Sequence, residues 1–265
     1  MADTAPAEGR EVLLYEVRAG AAWLTFNRPH ALNAFDTALR QAVVEAIAAA
    51  SADDQVFSLV FCGAGGRAFS TGADLKEMAA QDAAGAPAAE PPDLFGAVAG
   101  CRKPTIAAID GHCVAAGMEV ATLCDIRVAS EASSFGLPEV LRSLMPDPGL
   151  IELPRVIPLG EAARLLLTGT PMTARRAYEI GFIQSLAHDR AAMLDEAARM
   201  AAEIALAAPL AAEAYKQIIR NGRSMSPEQA AQYRAAHWTI LQATEDRIEG
   251  PRAFVEKRPP VWKRK

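Results

Sequence analysis

Two glutamates stand in settings that ordinary solvated carboxylates do not occupy. Glu119 sits within an apolar run, flanked by Val114, Met118, Val120 and Leu123, and Glu139 follows Phe135-Gly136-Leu137-Pro138. A lone carboxylate among apolar side chains is expensive to bury unless it is paired, protonated or used. Two small-residue segments, Gly72-Ala73-Asp74 and Ala115-Ala116-Gly117, stand where a loop passes into a helix. Such junctions leave backbone N–H groups unpaired at the positive end of the helix. If the two converge, they form an oxyanion hole, each donor contributing about 3–4 kcal/mol where negative charge develops. Two carboxyls beside it could then divide general acid and base work, provided the site separates their pKa values. A structural reading stands next to this one: Glu119 pairs with Arg127 or Arg142, and Glu139 caps a helix. Spacing alone supports both.

Other chemistries fit less well. Gly63-x-Gly65-x-x-Ala68 after an apolar strand matches a relaxed dinucleotide fingerprint, but Ser70-Thr71-Gly72 breaks the helix that must open there. Ala68-Phe69-Ser70-Thr71-Gly72 lacks the first glycine of a serine-hydrolase elbow. The four histidines (30, 112, 188, 237) have no metal-ligand spacing. The four cysteines (62, 101, 113, 124) form no CxxC pair and read as buried free thiols of a reducing compartment.

These groups must be positioned by the elements around them. Val12–Val17 and Ala22–Phe26 read as strands of a hairpin split by Ala19-Gly20. Asp36 can cap a helix to about Ala50, with Leu39, Val43 and Ile47 on one stripe. Val56–Phe61 is a continuous apolar strand of the kind buried on both faces. Thr105–Ile109 and Ile126–Ala129 read as strands, and Ala116–Cys124 as the helix between them. Residues 1–10 read as a loose tail, and the Ala/Pro/Gly-rich stretch 79–93 as a mobile loop. Beyond Pro146–Gly149 the chain turns helical, with caps at Thr173 and Ser226-Pro227 and a turn at Asn221-Gly222. The alternation predicts right-handed βαβ units in a single α/β core, residues 1–200, followed by a helical region, 201–265.

Composition bounds the partners. A net charge of −5 and pI near 5.5 give no general attraction for nucleic acid or anionic membrane. An apolar fraction of 51% supports a substantial core, and aromatics at 6% leave the packing to small aliphatics. Met1–Glu8 has neither a basic nor an apolar signal region, and the chain has no long uncharged run of large apolar residues. The expectation is a soluble, cytoplasmic protein.

Several ordered motifs together resemble the enoyl-CoA hydratase/isomerase (crotonase) superfamily over nearly the whole chain. They are Phe26–Ala34, Ala68–Met78, Lys103–Asp125, Phe135–Glu139, Leu167–Ile183 and Ala253–Arg258. The resemblance implies a spiral of stacked ββα units with C-terminal helices that build homotrimers, often paired into hexamers. It implies an acyl-CoA thioester whose carbonyl oxygen sits between the N–H groups of Ala73 and Ala116. His30, Ala31, Leu32, Thr71, Asp74 and Leu75 fall at positions that line CoA. Phe254 and Lys257 fall where the C-terminal helix approaches CoA, often from a neighbouring subunit. Glu119 and Glu139 match the two glutamates of the hydratase branch, Glu119 as the base that activates water and Glu139 as the acid that protonates Cα. No metal or redox cofactor is implied; CoA arrives with the substrate. Ala115-Ala116-Gly117 replaces a glycine-richer turn, so Ala116 is expected to narrow the pocket and to need an unusual φ. Met145–Gly149 replaces another, and Asp147 adds a carboxylate that can raise a neighbour's pKa.

The function expected is hydration of a trans-2-enoyl-CoA. Isomerisation, or hydration of an unusual acyl-CoA, is the nearest alternative. A non-catalytic RNA- or partner-binding protein is the distant one, and its densest basic cluster is only Lys257-Arg258 with Lys263-Arg264-Lys265.

Overall fold

The computed structural model describes residues 11–84 and 91–265, so the expected tail at 1–10 and residues 85–90 of the expected loop lie outside it. The chain opens on a hairpin, β1 (Leu13–Arg18) and β2 (Ala21–Phe26), paired antiparallel across Ala19-Gly20. Both turn residues have positive φ, the conformation that matches the twist of two adjoining strands. A 3-10 turn (Pro29–Ala31) leads to α1 (Thr37–Ala52), whose first turn is capped by Asp36 accepting from the Leu39 N–H at 2.8 Å. Leu39, Val43, Ile47 and Ala50 form its buried stripe, as the spacing predicts.

Three ββα turns follow. The first is β3 (Ser58–Gly63), β4 (Ala68–Ser70), α2 (Leu75–Ala84) and α3 (Leu94–Gly100). The second is β5 (Thr105–Ile109), β6 (His112–Val114) and α4 (Ala116–Leu123). The third is β7 (Ile126–Ser130) and β8 (Ser134–Gly136), a 3-10 turn (Pro138–Arg142), then α5 (Gly149–Val156) and α6 (Leu159–Thr168). The remainder is β9 (Met172–Thr173), α7 (Ala174–Glu179), β10 (Ser185–Ala187), α8 (Arg190–Leu206), α9 (Pro209–Gly222), α10 (Pro227–Gln242) and α11 (Glu245–Glu256). The first strand of each turn joins a sheet ordered β1-β2-β3-β5-β7-β10, parallel from β2 onward. The second joins a smaller sheet ordered β4-β6-β8-β9. This is the expected spiral.

The larger sheet is covered on both faces, which explains why β3 is apolar throughout. Leu59 and Phe61 face the main core, whereas Val60 and Cys62 pack with Met193, Ala197 and Ala201 of α8. Each large aliphatic or aromatic side chain buried this way contributes about 1.5–3 kcal/mol. Helix α8 runs through residue 200, the position at which the core and the helical region are divided above. All four cysteines are free and buried, as expected. Among the described residues, no helix is long and apolar enough to cross a membrane.

The expected loop at 79–93 needs correction. Its first part is helical, because α2 continues to Ala84, and alanine in series favours helix over coil. Its last residue, Asp93, caps a short helix, α3, that the sequence reading does not include, accepting from the Gly96 N–H at 2.7 Å. The turn expected at Asn221-Gly222 falls at the last residues of α9 instead. The caps at Thr173 and Ser226 are present, the latter as a full capping box with Gln229. The C-terminal basic cluster is largely consumed by ion pairs within the chain. Arg258 pairs with Glu249 and Glu256, Lys263 with Glu245, and Arg264 with Glu213 and Asp54.

Candidate active site

Strands β4 and β6 are parallel neighbours, so the two junctions that follow them emerge side by side. Gly72 measures how close they come. A Cβ placed on it would lie 2.5 Å from the Ala115 Cβ and 3.1 Å from the Ala116 nitrogen, and its φ is +96°. Only glycine fits there. Phe35 holds the first junction from the far side: its N–H donates to the Gly72 carbonyl, and its carbonyl accepts from the Asp74 N–H. That pattern turns the intervening Ala73 N–H away from Phe35. Among the described residues, neither the Ala73 nor the Ala116 N–H has an acceptor.

The unusual φ expected at Ala116 falls one residue earlier. Ala115 has φ 51° and ψ −133°, while Ala116 opens α4. This conformation costs a side-chain-bearing residue about 1–3 kcal/mol, and it persists only because its surroundings fix it. The Ala115 N–H donates to the Gly136 carbonyl at 2.9 Å, and its carbonyl accepts from the Glu119 N–H at 3.0 Å.

Glu119 lies one helical turn into α4 and is 4% exposed; Glu139 lies in the 3-10 turn after β8 and is 9% exposed. The structural pairing weighed for Glu119 does not occur. Arg127 spends its guanidinium on the carbonyls of Phe182, Ala121 and Cys124, and Arg142 reaches only the Pro138 carbonyl. Glu119 Oε1 instead accepts from the Gly149 N–H at 2.9 Å, at the start of α5. Burial pushes its carboxyl up from 4.5 to about 7, and the carboxylates of Glu139 and Asp147 add to the rise against the Gly149 N–H. The Asp147 carboxylate raises its neighbour as the sequence suggests, while the Asp147 N–H works against it. Burial also raises Glu139, with Arg142 opposing. Glu139 caps no helix: its Oε2 is buried with no hydrogen-bond partner among the described residues. An ionised oxygen in that state lacks compensation from the chain, the same sense in which burial moves the Glu139 carboxyl.

Both glutamates and both junctions line one cavity of about 810 Å³. His30, Ala31, Thr71, Asp74 and Leu75 line it too. Asp74 is engaged by the fold as well, pairing with Arg28 at 3.0 Å and capping α2 through the Lys76 N–H at 3.1 Å. Burial would raise its pKa, but the Arg28 hydrogen bond and the N–H groups of Glu77 and Lys76 hold it below the usual value. Leu32 is not part of the lining; its carbonyl accepts from the Thr71 N–H at 3.2 Å and ties the 3-10 turn to the junction. Phe254 and Lys257, at the end of α11, lie outside the cavity of a single chain, and Phe254 is 83% exposed.

Sequence reasoning overlooked several residues that build this site. Asn33 is fully buried at positive φ and donates to the carbonyls of Ala64 and Ala68, fastening the first motif to the loop before β4. Arg28 bridges Asp36 and Asp74. Arg40 and Phe95 line the cavity from α1 and α3. Their signal was a polar or aromatic residue beside an apolar stripe, which periodicity assigns to solvent.

A model of the enoyl-CoA hydratase/isomerase family matches residues 16–265. A 2,3-dehydroadipyl-CoA hydratase of Escherichia coli K12 is 36% identical over 241 residues, covering 91% of this chain and 94% of its own. An (E)-benzylidenesuccinyl-CoA hydratase of Thauera aromatica is 37% identical over 261 residues, with 94% and 97% covered. The crystal structure of enoyl-CoA hydratase from Mycobacterium tuberculosis H37Rv superposes with a TM-score of 0.88 at 33% identity, over 96% of this chain and 99% of that one. Motif order, spiral fold and sequence identity agree, and the chain belongs to the enoyl-CoA hydratase/isomerase family.

Proposed function

We propose that the protein hydrates a trans-2-enoyl-CoA. The observation that carries this reading is two buried carboxyls lining one cavity with two unbonded N–H groups. The Ala73 and Ala116 N–H groups would receive the thioester oxygen as negative charge builds on it. Glu119 takes a proton from water, whose oxygen forms the new bond at Cβ, and Glu139 delivers a proton to Cα. The proton gained by Glu119 passes to Glu139, directly or by exchange of both groups with solvent, before the next cycle, so the enzyme ends as it began. The pKa of Glu119, raised to about 7, suits a general base working near neutrality, and burial shifts Glu139 in the direction a proton donor needs. This chemistry requires no metal or redox cofactor.

Product analysis in ¹⁸O-labelled water tests it. Crotonyl-CoA should yield a 3-hydroxyacyl-CoA carrying the label; a 3-enoyl-CoA without added oxygen would make the protein an isomerase.

The proposal extends to assembly. Helices α9–α11 expose Tyr215, Ile219, Trp238, Ile240, Ile248 and Phe254, each at least half exposed, and α10 buries no residue in the single chain. A homotrimer, alone or paired into a hexamer, would cover such side chains and could carry Phe254 and Lys257 to a neighbour's cavity. Sedimentation of the purified protein as a monomer would contradict this.

A further inference from the structure

Within the cavity the arginines are used very differently. Arg28 is committed to Asp36, Asp74 and the Ala34 carbonyl. Arg142 is exposed and stands beside Glu139. Arg40 projects from α1 and is half-buried, and its guanidinium carbon lies 5.8 Å from the centroid of the Phe95 ring. Among the described residues its side chain makes no hydrogen bond and no ion pair, so the guanidinium lines the cavity with its N–H donors unanswered by the chain. The two carboxylates that act on Arg40 through space hydrogen-bond elsewhere. Glu77 accepts from the Thr37 N–H, and Glu119 accepts from the Gly149 N–H. Burial pulls the Arg40 guanidinium below its usual pKa, while Glu119 and Glu77 act in the opposite sense. A half-buried guanidinium without a hydrogen-bond acceptor carries a cost that these two carboxylates offset only through space, and an anionic ligand group would lower it further.

Resting on the hydratase reading, we propose that the acyl chain of the preferred substrate carries a second, free carboxylate, which Arg40 receives as a planar ion pair over Phe95. The guanidinium fork fits a carboxylate with two parallel hydrogen bonds, and the aromatic face beneath it limits the orientations it can take. The thioester end is already provided with neutral backbone donors and with carboxyls that would repel a second anion. Among the described residues that line the cavity, Arg40 is the cation that is both partly withdrawn from water and uncommitted.

Binding of saturated esters tests this without relying on turnover. Adipyl-CoA and hexanoyl-CoA share the CoA portion and the six-carbon chain and differ only in the terminal carboxylate. By calorimetry, wild-type protein should bind adipyl-CoA about 10- to 100-fold more tightly. Arg40→Gln should erase that preference by weakening adipyl-CoA, moving hexanoyl-CoA by less than about threefold, and Arg40→Lys should keep part of it. Shorter and longer matched pairs should show the same pattern at the chain length that reaches Arg40. Equal affinity across every pair in the wild type would overturn the proposal. So would an equal loss for both esters in Arg40→Gln with the melting curve unchanged, because Arg40 would then serve CoA or the glutamates. A carboxylate preference in a protein that fails to hydrate crotonyl-CoA would leave this inference standing and remove the hydratase reading.

Discussion

Glu119→Gln is expected to lower turnover by about 10²- to 10⁴-fold, the usual contribution of a positioned general base, and at the same time to stabilise the protein. The amide keeps the shape and can still accept the Gly149 N–H, so CoA-ester affinity should change little. The stability gain follows from the sign of the pKa change. In the unfolded chain Glu119 ionises around 4.5; in the folded protein it does so at about 7. Between those values the folded state holds the extra proton, so stability falls as pH rises through this window and the full penalty is present above about 7. A displacement of that size corresponds to at most about 3 kcal/mol. Denaturant titrations should therefore show the variant more stable than wild type at pH 8, with the advantage shrinking toward pH 5. In the wild type, kcat/KM should fall as pH drops below about 7, because the base becomes protonated. A variant that keeps wild-type turnover, or one that is less stable at pH 8, would contradict the account of Glu119.

Gly72→Ala should be comparably damaging for a steric reason. The new methyl would meet Ala115 at 2.5 Å and the Ala116 nitrogen at 3.1 Å, at a residue whose φ is +96°. Strain and overpacking together should cost about 2–4 kcal/mol of stability. The larger effect should be on kcat, by about 10²- to 10³-fold, because the nitrogen pushed aside is a proposed oxyanion donor. Adding Ala115→Gly removes the closest contact and relieves the positive φ of that residue, so the double variant should recover part of both losses. Additive effects in the four-protein cycle would mean that the two junctions do not act together.

The parts of this protein that sequence reasoning reached are those encoded locally. Asp36 and its 39-43-47 stripe define α1 because cap and period lie within one segment. The strand at Thr105–Ile109 and the helix from Ala116 are bounded by turn residues of clear type. The glutamates stood out because a carboxylate in an apolar run needs an explanation, and the order of the motifs supplied one. What stayed hidden depends on distant partners. Strands β6 and β8 span only three residues each, too few to show a period, and they exist because β4 and β9 pair with them. The strain at Ala115 rather than Ala116 follows from the approach of Gly72, forty-odd residues earlier. Arg40 looks like a solvated residue beside the α1 stripe until α3, a short helix that follows the low-complexity stretch, places Phe95 against it.

The central claim is that Glu119 and Glu139 together add water to an enoyl thioester held at Ala73 and Ala116. It is tested most directly by following the enoyl-thioester absorbance of crotonyl-CoA with wild type beside Glu139→Gln. The account predicts rapid loss of the band with wild type and a rate lower by about 10²- to 10⁴-fold with the variant, at unchanged affinity for the ester. Equal rates in the two proteins would contradict it.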